Sequence, residues 1–326
     1  MAPLSKALAV VADPSCSTSG KDGVSVYSAA IDPEWVILQA PQGGYSVGII
    51  LEAAIQHQSG SKHPDPIHLT VHFLRIPRLA TLHVHVRVLK IGRDFTNLLA
   101  DLVQNDTVMI TTHMMFGVLV PPPSTPHVLT LAPPHPKARR TPMQTHPSKC
   151  TWVPDTRFWG TSKHIRDAHD PVYVARSKSD AEGMQWGTYF MLPTERGPLR
   201  PSMIPCLADS AMGLVESMGV SVEEVRKWWY ATTTLTMEFK FPIPPASSAD
   251  HSPRTVALFS TGAFANDPQA RHDTRVEVWT APSDIGEGEE RAGWRETQRC
   301  LAVMNTVMVV VPAAVNINAG AKGGKL

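Results

Sequence analysis

Four groups of residues have the type and spacing to do chemistry. The first is Asp209 in LADS, with Ala208, Ser210, Ala211 and Gly213 around it. A carboxylate among such small side chains lets a sheet or a ligand come close, and it can accept a proton from water. The competing reading is an acid on a solvent-facing helix surface. The second is Thr232-Thr233-Thr234, hydroxyls able to fix a reactant, although threonine is an ordinary strand residue. The third is Gly44-Tyr45-Ser46-Val47-Gly48, which fits G-x-S-x-G between a strand-like run and a helix, the setting of a serine nucleophile elbow. Ser46 would then need a downstream histidine and acid. Against this, only one strand precedes the motif and β-rich runs follow it, whereas an elbow sits among alternating strands and helices. The fourth is His83 and His85 on one face of LHVHV, a metal pair only if a third ligand joins them. Histidines on an exposed strand face explain the same letters. His68 and His72 read as packed, hydrogen-bonded side chains, and Trp228-Trp229-Tyr230 as core or interface packing, with tunnel lining as the alternative.

These residues need elements to hold them. WVILQA reads as a strand, PQGG as a turn, and YSVGIILEAAIQHQ as a helix with apolar positions at helical spacing. Four β-rich runs follow: IHLTVHFLRIP, TLHVHVRVLKIG, FTNLLADLVQN and TVMITTHMMFG. The second half repeats the order, with WGTYFML as a strand, MIPCLADSAMGLVESMG as a helix, and then TTTLTMEFKFPIPP, TVALFSTGAF, TRVEVWTA and ETQRCLAVMNTVMVVV. LTVHFLRIP (69–77) lines up with LTMEFKFPIP (235–244), and Leu51-Glu52 with Val215-Glu216. A long helix followed by an antiparallel sheet that covers it is an α+β solution. Carried across the two copies, Asp209 falls opposite Tyr45 and Thr232 opposite Pro66, so the first copy lacks both groups. One site per chain, built by the second copy, is the expectation.

Between the copies lies VPPPSTPHVLTLAPPHPKARRTPMQTHPSKC, where prolines this dense predict an extended connector. The expected organisation is an N-terminal unit over 1–118, a proline-rich and irregular segment over 119–183, a C-terminal unit over 184–315 and a flexible tail over 316–326. Of 326 residues, 30 are Lys or Arg and 29 Asp or Glu, a formal net charge of +1. That balance excludes a protein built to coat nucleic acid or an anionic membrane. The apolar run near the C-terminus is broken by Asn305 and Pro312 and is no bilayer span. Four isolated cysteines read as reduced thiols of a cytosol-like compartment. The closing GKL is one small residue from the peroxisomal address SKL, which makes peroxisomal entry the alternative location.

In QGGY before the first helix, HLTVHFLRIP with Gly92-Arg93, MMFG closing the first half, LADS on the second helix and the TxxxTMEF strand, the chain resembles the acyl-CoA thioesterase II-like (TesB-like) family of double hotdog proteins. The resemblance implies two tandem hotdog units, each a helix wrapped by an antiparallel sheet, with the sheets joined. It implies hydrolysis of an acyl thioester by an activated water, without cofactor or metal. The substrate would be acyl-CoA or a carrier-bound acyl or polyketide thioester, in lipid or polyketide metabolism. The site it implies is an Asp on the second helix, matched by Asp209, a Thr opening the next strand, matched by Thr232, and a Gln on the last strand. Aligned on RCLAVM, Cys300 falls at the glutamine position; Gln298 lies two residues earlier, and residues two apart share a strand face. Gln298 is therefore the third expected residue. Without it, a double hotdog that binds an acyl ligand or a partner without turnover is the alternative. NDPQARHD (266–273) has hydratase-like letters at the wrong spacing for a hotdog hydratase. Open sheet edges in such a fold suit pairing with a second copy.

Overall fold

The β-branched and aromatic runs assemble into one antiparallel sheet in the computed structural model, which describes residues 2–18, 23–120, 135–153, 160–177, 184–211, 222–264 and 271–322. The first half contains α1 (Leu4–Ala7), β1 (Val11–Ala12), β2 (Val24–Ala30), a hairpin of β3 (Val36–Ile37) and β4 (Ala40–Pro41), and the long helix α2 (Gly43–Gln58). Strands β5 (Asp65–Phe73), β6 (Thr81–Ile91), β7 (Thr96–Gln104) and β8 (Thr107–Gly117) complete it. Next come β9 (Arg166–His169), α3 (Pro171–Ser177), β10 (Met184–Met191), α4, described over Ile204–Asp209, and α5 (Val222–Val225). The chain continues through β11 (Trp228–Phe239), β12 (Thr255–Phe264), β13 (His272–Thr280), α6 (Trp294–Thr297), β14 (Cys300–Pro312) and α7 (Ala313–Lys322).

Among the described residues, twelve strands run in the order β1-β2-β6-β7-β8-β5-β11-β14-β13-β12-β10-β9. Outward from the centre, β5-β8-β7-β6-β2 and β11-β14-β13-β12-β10 are the same path, so the repeat read in the letters is a repeat of topology. The copies meet where β5 pairs with β11. Thr70 lies opposite Thr236, Leu69 opposite Met237 and Val71 opposite Leu235, which places a pseudo-two-fold axis at the Thr70–Thr236 pair. Both central strands carry the same irregularity against their outer neighbours, a register shift between Pro66 and His68 on β5 and between Thr232 and Thr234 on β11. A bulge of this kind re-aims a side chain, and here it is inherited twice.

Helix α2 is apolar nearly all round because it is surrounded. Tyr45, Val47, Ile49, Ile50, Leu51, Ala53 and Ala54 have no exposed surface. Its one buried acid, Glu52, accepts from Ser202 Oγ at 2.6 Å and from Arg200 Nη1 at 3.3 Å, which satisfies a charge that would otherwise be costly to bury. Gly44 and Gly48, one turn apart, let α2 touch the start of the second-half helix. A Cβ on Gly44 would stand 2.2 Å from the Pro205 carbonyl oxygen, and one on Gly48 2.6 Å from that of Ser202.

Three expectations are corrected here. WVILQA is not one strand: Pro33–Trp35 is a 3-10 turn, and the hairpin β3–β4 follows, turned through Leu38 at φ 57°. The outer strand of the first half is instead Val24–Ala30, which pairs with β6. The segment 119–183 is not simply a connector. Its described part contributes β9 to the sheet and lays Met143 and Cys150 over Tyr189 and Trp279 on the outer face. The Asp170 carboxylate ties this segment down, accepting from the Gln144 and Thr145 amides at 2.7 and 3.0 Å. Nor are residues 316–322 a free tail, since they belong to α7. Asn316 there is fully buried and accepts from the Gln39 amide at 3.0 Å. The proline-dense core of the connector (121–134), the Val215-Glu216 alignment, most of NDPQARHD and the GKL ending lie outside the described residues.

Candidate active site

Asp209 stands where the two units interlock. It is the last residue of α4 as described, and α4 lies across β13 and β14 and against α2. Its Oδ2 accepts from the Gly44 amide at 2.7 Å, in the first turn of α2. Its Oδ1 accepts from Thr232 Oγ1 at 3.4 Å. Thr232 reaches inward because β11 bulges after it. Thr233 donates its own hydroxyl to the Val307 carbonyl at 2.9 Å, and Thr234 resumes the ladder opposite His72. Of three adjacent threonines, the fold aims one at the carboxylate.

Burial raises the Asp209 pKa from 3.8 to about 6, against the opposing pull of the Gly44 amide and the Thr232 hydroxyl. Carboxylate and hydroxyl both line a cavity of about 400 Å³ that reaches from the end of β5 to β9. The half-buried carboxyl thus faces an internal space open to a ligand. A carboxylate that titrates near 6 is ionised at neutral pH and still basic enough to take a proton. The N-terminus of α2 enters the same space through Gln42 and Gly43, and its positive end favours negative charge there. Gln42 fixes that end: its Oε1 accepts from the Tyr45 amide at 2.6 Å and its Nε2 donates to the Cys206 carbonyl at 3.2 Å. The sequence does not single out Gln42, because glutamine is not among the residues that ordinarily cap a helix.

Gln298, the third expected residue, is not brought to this space. It precedes β14 in a loop, 2 % exposed. Its Oε1 accepts from Thr280 Oγ1 at 2.8 Å, and its Nε2 donates to Thr297 Oγ1 and the Trp294 carbonyl at 2.9 and 3.1 Å. Both ends of the amide are used in holding α6 to β13. Cys300 packs with the outer-face cluster, where burial pushes its thiol up to about 12. The residues that β14 does present to the cavity are Met304, Thr306 and Met308.

Ser46 is no elbow nucleophile. It lies one turn inside α2, its hydroxyl donates to the Gln42 carbonyl at 3.3 Å, and the sheet is antiparallel. The glycines of its G-x-S-x-G pattern are the helix-contact glycines. His83 and His85 lie on β6, His85 opposite Asp101 on β7. No three metal-ligating side chains come together among the described residues. Trp228, Trp229 and Tyr230, read as packing, all line the cavity.

The architecture is that of a double hotdog protein. Similar solved structures include a hotdog-fold protein of unknown function from Alicyclobacillus acidocaldarius, with a TM-score of 0.67 at 15 % identity, covering 94 % of this chain and 97 % of that one. A protein described as a thioesterase II from Thermobifida fusca gives 0.65 at 20 % identity, with the same coverage. An acyl-CoA thioesterase II from Mycobacterium marinum gives 0.61 at 12 %, covering 95 % and 98 %. At these identities the likeness is one of fold. Residues 31–117 match the acyl-CoA thioesterase N-terminal domain, and the chain as a whole shares the fold of these solved structures. A curated relative, the ustilagic acid biosynthesis cluster protein orf2 of Mycosarcoma maydis, is 35 % identical over 91 residues. That match covers 27 % of this chain and 24 % of the relative. Among the described residues, no helix is long and apolar enough to cross a membrane.

Proposed function

We propose that this protein hydrolyses an acyl thioester at Asp209. The observation that carries the reading is the convergence of a carboxylate titrating near 6, the Thr232 hydroxyl and the N-terminus of α2 on one cavity. Asp209 takes a proton from a water, whose oxygen bonds to the thioester carbonyl carbon. Negative charge gathers on the carbonyl oxygen near the positive end of α2, the kind of stabilisation that dominates acyl transfer. The C–S bond then breaks, the electron pair leaves on sulfur, and the proton on Asp209 passes to the thiolate. Thr232 holds the carboxylate in place.

The substrate reading is acyl-CoA, with a carrier-bound acyl or polyketide thioester as the other source of the same bond. Among the described residues lining the cavity, Arg75, two residues beyond β5, is the one Lys or Arg and suits the phosphates of such a carrier. A role in lipid or polyketide metabolism agrees with a relative from a biosynthesis cluster, and pairing of the sheet edges β1 or β9 would make a homodimer. The cytosol is the location this reading carries. Thiol release from a panel of acyl-CoA chain lengths tests it. Asp209→Asn is expected to lower kcat about 100- to 10,000-fold, the range for loss of a general base. The second reading, an acyl-binding protein without turnover, is favoured by the engagement of Gln298 elsewhere. Binding of an acyl-CoA with no thiol release from any chain length would establish it instead.

A further inference from the structure

Among the described residues, the cavity holds one fully buried imidazole, and the proposed mechanism gives it no part. His272 opens β13, is 3 % exposed and lines the same space as Asp209. Thr232 lies opposite Met308, and Met308 opposite His272. The three side chains therefore form one row across β11, β14 and β13, all lining the cavity. Two strand spacings put the Cα atoms of Thr232 and His272 roughly 10 Å apart. The Thr232 hydroxyl and the His272 imidazole reach inward from that separation on either side of Met308, into the same cavity. A water in the cavity over Met308 is the group the two side chains could share.

The first copy shows what this row is without chemistry. Its counterparts are Pro66, Phe116 and Thr96, paired in the same register. There an apolar pair replaces Thr232 and Met308, and Thr96 Oγ1 is 2.9 Å from His63 Nδ1. In the second copy the row reads Thr-Met-His and looks onto the carboxylate. Two other polar residues of the cavity are turned elsewhere. Thr306 donates its hydroxyl to the Thr274 carbonyl at 3.4 Å. His169 sits five strands from β11, beside Asp167 at 3.5 Å.

We infer that His272 is the third hydrogen-bonding group around the reacting water, in the part that the sequence offered to Gln298. The inference rests on the thioesterase reading above. His272 orients the water and ends the reaction with the protons it began with. The proton removed from water goes to Asp209 and then to the departing thiolate, as already written. An amide and an imidazole each offer a donor and an acceptor at the end of a side chain, so glutamine can stand in for this histidine, whereas an apolar side chain cannot.

Steady-state thiol release by the whole chain, with melting temperatures measured alongside, tests this on His272→Ala, His272→Gln, His272→Phe and Asp209→Asn. His272→Ala and His272→Phe are expected to lower kcat about 10- to 100-fold, the scale of a misplaced reactant, with KM within about twofold of the parent. His272→Gln is expected to recover most of that loss. A structural role would make Phe, which fills the space, at least as good as Gln, and that order overturns the inference. So does full kcat in His272→Ala beside an inactive Asp209→Asn, which leaves the thioesterase reading standing. An unaltered chain that releases no thiol, or an Asp209→Asn variant as active as the parent, removes both together.

Discussion

At the scale of single residues, Asp209 is held in two opposed ways. Burial resists its ionisation, while the Gly44 amide and the Thr232 hydroxyl support it, and the balance lies near 6. The base form exists above that value, so kcat should climb as pH rises through about 6 and level off beyond it; a pH–rate profile checks the limb. Stability should move the other way. The folded pKa is above the ordinary 3.8, so the native state binds the extra proton, and stability falls as pH rises from about 4 to beyond 6. Asp209→Asn removes that dependence. Its melting temperature relative to the parent should be higher at pH 8 than at pH 4.5, and a difference independent of pH would refute the linkage. The identity of this carboxylate was legible in its small neighbours and its family likeness. Gln298 was not legible, because a strand alignment fixes which residues share a face but not where the strand begins. β14 starts at Cys300, and Gln298 remains in the loop before it.

At the scale of elements, the site depends on two backbone features that no functional side chain announces. One is the bulge after Thr232, which lets Thr232 face the cavity while Leu235 still enters the core. The other is the contact of α2 with α4 and the turn before it, made through Gly44 against Pro205 and Gly48 against Ser202. The letters that suggested a catalytic serine are explained by that contact. Spacing of four on a helix places two glycines on one face, and a pattern search cannot tell a close helix contact from a strained nucleophile turn. Gly44→Ala should therefore be damaging twice. Its methyl meets a backbone carbonyl that cannot swing aside, for a loss of about 1–3 kcal/mol, and it displaces the amide that binds Asp209. Chemical denaturation should show that loss, and kcat should fall further than the loss of folded protein explains. The hairpin at Val36–Pro41 and helix α7 were hidden for a different reason. Leu38 adopts φ 57° in a turn without glycine, and Asn316 finds its partner 277 residues away; local propensity describes neither.

At the scale of the whole molecule, duplication gives two copies of one backbone, of which the proposed site uses mainly the second. The topology, the pseudo-dyad at Thr70–Thr236 and the paired bulges are common to both copies. These were legible because repeated letters and repeated element order report the same backbone. What sets the copies apart at the proposed site is a few side chains on one inner row, which in the first copy holds Phe116, fully buried. The first copy is still needed by the site, since it lends the Gly44 amide and the N-terminus of α2 to a carboxylate of the second. Such an arrangement should bind one acyl ligand per chain. Calorimetric titration with a non-hydrolysable acyl-CoA analogue should give a stoichiometry of one per chain in the parent, and Asp209→Asn should keep that value. Two equivalent sites per chain would mean that the Pro66–Phe116 row opens to ligand, and a single functional copy would no longer describe the molecule.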